Sequence, residues 1–138
     1  MNGFTLSEVI AAKPEEIYRA WLSSEGHTAM TGSPALVEGQ AGGEFSAWDG
    51  YIFGKTLALT PNRQIVQAWR TSEFPDDASD SRLDVDLEEV AGGTKITLKH
   101  INLPADQVDS YRQGWEDFYF VPMREYFQSK IREWRKSG

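Results

Sequence analysis

Few side chains in this sequence have the types that chemistry needs, and none stands in a spacing that defines a reaction. His27 and His100 are the only histidines, and there is no cysteine. Nothing spaces the two imidazoles as a helical or hairpin pair, so no metal centre and no cofactor is expected. The patterns HExxH, GxSxG and GxxxxGK[ST] are all absent. Glu116 and Asp117 are adjacent carboxylates, but neighbours in a helix point about 100° apart, so they read as a solvated face rather than an acid–base pair.

Three places remain where polar or aromatic groups could meet a ligand. His100 follows Ile96 and Leu98 at alternate positions, which gives it the inward parity of a strand. It could be a polar contact or a base at one end of a cavity. The alternative is a half-buried histidine bonding a backbone group of the INLP loop. Gln67 lies between Ile65 and Trp69; if these two point inward, so does the amide. A buried amide without partners costs about 1–3 kcal/mol, so water, a side chain or a ligand should meet it, unless the strand is inverted or bulged. The third place is GWEDFYFVPMREYF, residues 114–127, with six aromatic residues and Pro122 in its interior. Trp115, Phe118 and Tyr119 there are either plain core or the wall of a cavity with polar tips. The candidate ligand set is therefore Tyr51, Gln67, Trp69, His100, Trp115, Phe118 and Tyr119, with Tyr51 and Gln67 as polar contacts.

The elements that would position these groups are legible. FTLSEVI, residues 4–10, alternates as a strand, and KPEEIYRAWL follows with Pro14 in a first helical turn and Glu15 and Glu16 favouring the helix dipole. SSEGHTAM reads as a second short helix. Glycine-punctuated strands come next at 42–48, 50–59 and 64–71, then an acidic turn-rich loop, EFPDDASDS, expected to be mobile. Leu83, Val85 and Leu87 alternate with charged residues. After Gly92 and Gly93, Ile96 and Leu98 alternate with Lys95, Thr97 and Lys99. The pattern predicts an antiparallel hairpin with one apolar and one charged face. Something must cover the apolar face. Val108, Tyr111, Trp115, Phe118, Tyr119, Pro122, Met123, Tyr126, Phe127, Ile131 and Trp134 recur at three- and four-residue steps, over about 27 residues or roughly 40 Å of helix. Pro122 removes a helical hydrogen bond and is expected to bend this helix. The fold class is thus α+β: one domain over residues 1–138, a curved antiparallel sheet gripping a long C-terminal helix, with two short helices after the first strand.

Composition sets the outer bounds. The 138 residues carry a formal charge of −7, which argues against nucleic acid or an anionic membrane as the main partner. No apolar run approaches eighteen residues, so no membrane span is expected. MNGFTLSEVI lacks a basic segment followed by an apolar one, and with no cysteine the expectation is a cytoplasmic protein.

KPEEIYRAWL after the first strand, GGEF, the glycine of YIFGK, TPNRQIVQAWR, GGTKITLKH and GW at the last helix together resemble the START-like, birch-pollen-allergen-like superfamily. The resemblance covers about residues 4–134 and falls within the branch of activators of heat-shock-protein-90 ATPase homologues. Met30 stands where that branch often has tryptophan. The resemblance implies a helix-grip fold with a hydrophobic cavity between sheet and helix. It leaves three functions open. The leading expectation is binding of a small apolar or amphipathic molecule. The second is a chaperone-cofactor-like module with a protein partner, and the third a cyclase or hydrolase whose base is His100 or a cavity carboxylate. Either a monomer or a homodimer is compatible with all three.

Overall fold

A computed structural model describes the backbone of residues 2–137 and the side chains through Ile131. Trp134, which the sequence placed on the helix stripe, lies outside the described side chains. The order is β1 (Phe4–Ile10), α1 (Pro14–Trp21), α2 (Ser24–Thr31), β2 (Leu36–Val37), β3 (Glu44–Ala47), β4 (Ile52–Thr60), β5 (Gln64–Thr71), β6 (Ser81–Val90) and β7 (Gly93–Ile101). A 3₁₀ turn, Ala105–Gln107, then leads into α3 (Val108–Trp115), a π turn (Glu116–Phe120) and α4 (Val121–Ser137). The seven strands form one antiparallel sheet in the order β1-β7-β6-β5-β4-β3-β2.

The β6–β7 hairpin has the two-faced pattern that its sequence dictates. Leu83, Val85, Ile96 and Leu98 are fully buried, and across the strands Leu83 pairs with His100, Val85 with Leu98 and Leu87 with Ile96. On the other face Asp84 opposes Lys99 and Glu88 opposes Lys95. Burying each of the inward aliphatics contributes about 1.5–3 kcal/mol, so the face is strongly specified and a one-residue slip is excluded. Gly54 in β4 marks a close approach: a Cβ there would lie 1.9 Å from the Ala68 carbonyl oxygen and 3.1 Å from the Phe45 ring. No other residue fits that place.

The short helices have ordinary local causes. Ser23 caps α2 by accepting from the Gly26 N–H at 2.8 Å, and Gly32 ends it with φ 82°. Ile17 and Trp21 on α1, with His27 and Met30 on α2, form the buried faces of this pair.

The last helix runs on through Pro122, as its periodicity requires, but the device that accommodates the proline is a widened turn. The Val121 N–H donates to the Glu116 carbonyl, five residues back. In an α-helix the Pro122 ring would press on the Phe118 carbonyl; a π turn just before it opens that space. The same widening lets both Tyr119 and Phe120 be buried while Phe118 reaches the surface at 52% exposure. Arg124 on α4 is paired with Glu8 of β1 and, at 3.1 Å, with Glu116, which ties the helix to the first strand.

The acidic loop after β5 is not the free segment that its composition implied. Phe74 is buried against Trp69, and the Arg70 guanidinium donates to the Pro75 and Ala78 carbonyls and to Asp80 at 2.8–3.2 Å. One inward ring and one bridging arginine hold the loop; neither shows in an average over polar residues.

Candidate functional site

A pocket of about 420 Å³ opens between α3, the π turn and the β3–β4 end of the sheet. Trp48, Tyr51, Ile52, Trp69, Ser110, Tyr111, Gly114, Trp115, Phe118 and Tyr119 line it. Trp69, Trp115 and Tyr119 are each 3% exposed and form its inner wall, whereas Tyr51 and Phe118 stand at the mouth. Helix spacing explains three of these: Tyr111, Trp115 and Tyr119 are four apart and share one face. The rings interlock, with centroids 5.8 Å apart for Trp69 and Trp115, 4.6 Å for Trp115 and Tyr119, and 5.2 Å for Trp69 and Tyr111. Such edge and tilted contacts each add about 0.5–1.5 kcal/mol beyond area burial.

Five of the seven expected ligand residues thus meet around one space: Tyr51, Trp69, Trp115, Phe118 and Tyr119. Gln67 and His100 do not line it. Gln67 does point inward and is buried, but its amide donates to Thr56 Oγ1 at 3.2 Å and accepts from Trp21 Nε1 at 3.5 Å. The polar partner that its burial demands is protein.

His100 fits neither role foreseen for it. It is fully buried and bonds side chains rather than the INLP backbone. An indole N–H can only donate, so Trp115 Nε1 donates to His100 Nδ1 at 3.1 Å. The proton is then on Nε2, which donates to Ser81 Oγ at 2.8 Å, and Ser81 donates to the Trp69 carbonyl at 2.7 Å. Burial pushes its pKa down to about 3. His100 therefore stays neutral and holds the two inner tryptophans from behind.

His27, for which no role was expected, does the same for Tyr119. Its Nδ1–H donates to the Trp21 carbonyl at 2.9 Å and its Nε2 accepts from the Tyr119 hydroxyl at 2.8 Å. Burial lowers its pKa to about 4 and raises that of Tyr119. A signal existed: His27, Met30 and Thr31 fall on one face of a short helix, and all three are buried. Two histidines from distant elements thus each take one aromatic of α3 and the π turn.

At the mouth, polar groups satisfy each other. The Tyr51 hydroxyl donates to the Glu73 carboxylate, the Tyr111 hydroxyl donates to Gln107 Oε1 at 2.6 Å, and Thr71 Oγ1 lies 2.6 Å from Tyr111. Burial, then Glu73, holds the Tyr51 pKa above its ordinary value. Trp48 is the exception. Its indole Nε1 is the one buried side-chain polar atom without a partner among the described residues. It sits in a turn where Trp48, Asp49 and Gly50 all have positive φ, at 53°, 56° and 88°, and its ring packs on Phe118 with centroids 5.2 Å apart. An unmet buried N–H costs about 1–3 kcal/mol. Trp48→Phe keeps a ring and deletes that N–H, so it should leave urea-unfolding stability unchanged or raise it by up to about 1 kcal/mol. A loss above about 2 kcal/mol would mean that the N–H has a partner in solution.

Among the described residues no group of three or more His, Asp or Glu side chains could hold a metal ion, and no helix is long and apolar enough to cross a membrane. A curved antiparallel sheet, a long C-terminal helix and an aromatic pocket between them define a helix-grip domain of the START-like class. Within that class the chain belongs to the family described as Activator of Hsp90 ATPase homolog 1-like protein, whose model matches residues 11–128. It is 31% identical over 123 residues to the human Activator of 90 kDa heat shock protein ATPase homolog 1, an alignment that covers 89% of this chain and 36% of the human protein. The Dictyostelium discoideum homologue is 25% identical over 114 residues, which cover 80% of this chain and 29% of that protein. The chain spans about a third of the length of the curated relatives it matches. Among solved structures, an HSP90 activator from Plasmodium falciparum superposes with a TM-score of 0.74 at 26% identity, covering 86% of this chain and 89% of that one. The Aha1 dimer from Colwellia psychrerythraea superposes at 0.78 with 20% identity, covering 92% and 96%, and so supports the fold.

Proposed function

We propose that this domain binds a small apolar or amphipathic molecule in the pocket between the sheet and the last helix. The observation that carries this reading is the pocket itself: about 420 Å³ against an inner wall of Trp69, Tyr111, Trp115 and Tyr119, each less than a tenth exposed. Ligand sites in proteins are concave, mostly apolar and on the order of 300–1,000 Å³.

Gly114 supplies a clean test. It lines the pocket, and an added Cβ would meet only the Phe118 ring, at 3.8 Å. Gly114→Leu should therefore grow into the space while improving helix propensity by up to about 1 kcal/mol. A neutral reporter, N-phenyl-1-naphthylamine, should gain fluorescence saturably with wild type and fail to bind Gly114→Leu, whose thermal stability should be equal to or above that of wild type. Equal binding to both proteins would remove the pocket as the site.

The family match favours a second reading, a chaperone-cofactor-like module whose partner is a 90 kDa heat-shock protein. That role would act through the surface, so Gly114→Leu should leave any stimulation of the chaperone's ATPase intact. The same variant separates the two readings.

A further inference from the structure

The pocket's charge environment goes further than its volume, and the inference drawn from it rests on the pocket being a binding site. Seven of the ten lining residues are aromatic, and no lysine, arginine or histidine is among them. Two arginines on the elements that carry lining residues are engaged elsewhere: Arg70 pairs with Asp80, and the Arg112 guanidinium lies over Phe4, 5.5 Å from the ring centre. Carboxylates contact the mouth. Glu73 accepts from Tyr51, and the carboxylates of Glu73 and Asp106 both act electrostatically on Tyr111. The chain as a whole carries −7. We propose that the pocket selects a quaternary ammonium head on an apolar body and rejects carboxylates.

The chemistry disfavours the other heads in turn. A carboxylate such as a fatty acid's would enter a mostly aromatic space with no cation, where the Trp48 indole N–H and the Ser110 hydroxyl are the donors left to receive it. A primary ammonium sheds a strong hydration shell on entering and must regain three hydrogen bonds. For these a mostly aromatic lining offers few acceptors: the Ser110 hydroxyl and the remaining lone pairs of the Tyr51, Tyr111 and Tyr119 oxygens, whose protons go to Glu73, Gln107 and His27. A quaternary ammonium needs no hydrogen bond at all. It is stabilised by the negative faces of aromatic rings, tryptophan best, when held within about 6 Å of them. The Glu73 carboxylate at the rim adds a long-range attraction that a neutral ligand does not feel.

Three isosteric probes test this by tryptophan emission and calorimetry: benzyltrimethylammonium, neutral 2,2-dimethylpropylbenzene and 3-phenylpropanoate. Wild type should bind the cation at least about fivefold more tightly than the neutral probe, and the carboxylate most weakly. Glu73→Gln, which keeps an acceptor for Tyr51 at an exposed position, should weaken the cation about twofold or more and leave the neutral probe unchanged. A neutral probe or carboxylate bound as tightly as the cation would overturn the head-group assignment while leaving the pocket a binding site. If none of the three binds wild type, the pocket reading falls and this inference with it.

Discussion

Trp115→Ala is expected to destabilise the protein by about 3–5 kcal/mol, the range for deleting a large buried ring. The indole stacks on Trp21, tilts against Tyr119 and Trp69, and meets His100 edge-on, at centroid distances of 4.6–6.1 Å. Removal leaves a void contiguous with the existing pocket, so the walls have little to collapse onto. It also strips His100 Nδ1 of its donor inside a fully buried site, which adds about 1–3 kcal/mol unless water enters. Trp115→Phe is the smaller step: it keeps a phenyl ring in the wall and loses the N–H with the rest of the indole. Urea unfolding should place it between wild type and the alanine variant, and ligand affinity should fall in both. An alanine variant within about 1 kcal/mol of wild type would show that this wall is not structural.

Acid should destabilise the protein through its two buried histidines. In the folded state burial holds His27 near pKa 4 and His100 near 3, below the ordinary 6.5. Between pH 6.5 and about 4, the unfolded chain binds two protons that the folded chain refuses. Stability is therefore complete above pH 6.5 and falls with decreasing pH, at about 1.4 kcal/mol per pH unit for each histidine, or about 2.7 together. For His100 the loss continues to about pH 3. Unfolding free energies measured from pH 7.5 to 5 should show this slope, and His27→Gln should halve it, since a glutamine carbonyl can still accept from Tyr119. Imidazole proton resonances that titrate near pH 6.5 in the folded protein would refute the assignment.

Much of this was legible in the sequence because it is local. The β6–β7 alternation fixes which face is buried, since side chains on a strand alternate with period two and a slip would expose every aliphatic. Ser23 and Gly32 punctuate α2, and the three- and four-residue recurrence from Val108 onward defines the last helix and its inner face. Parity alone placed Trp69 and Gln67 inward, and helix spacing placed Trp115 and Tyr119 together.

What the sequence could not decide was which inward groups meet each other. Gln67 and His100 share the parity of the pocket residues, yet Trp21, Thr56, Ser81 and Trp115 complete their hydrogen bonds and keep them behind its wall. Those partners lie 11–46 residues away in the chain, so no local pattern carries the pairing. His27 needed the approach of α2 to Tyr119, across 92 residues. Pro122 announced a disturbance, but the π turn before it, in which both Tyr119 and Phe120 are buried, has no local signature. Periodicity determines which face of an element is apolar; only tertiary packing decides which atoms on that face satisfy one another and where space is left over.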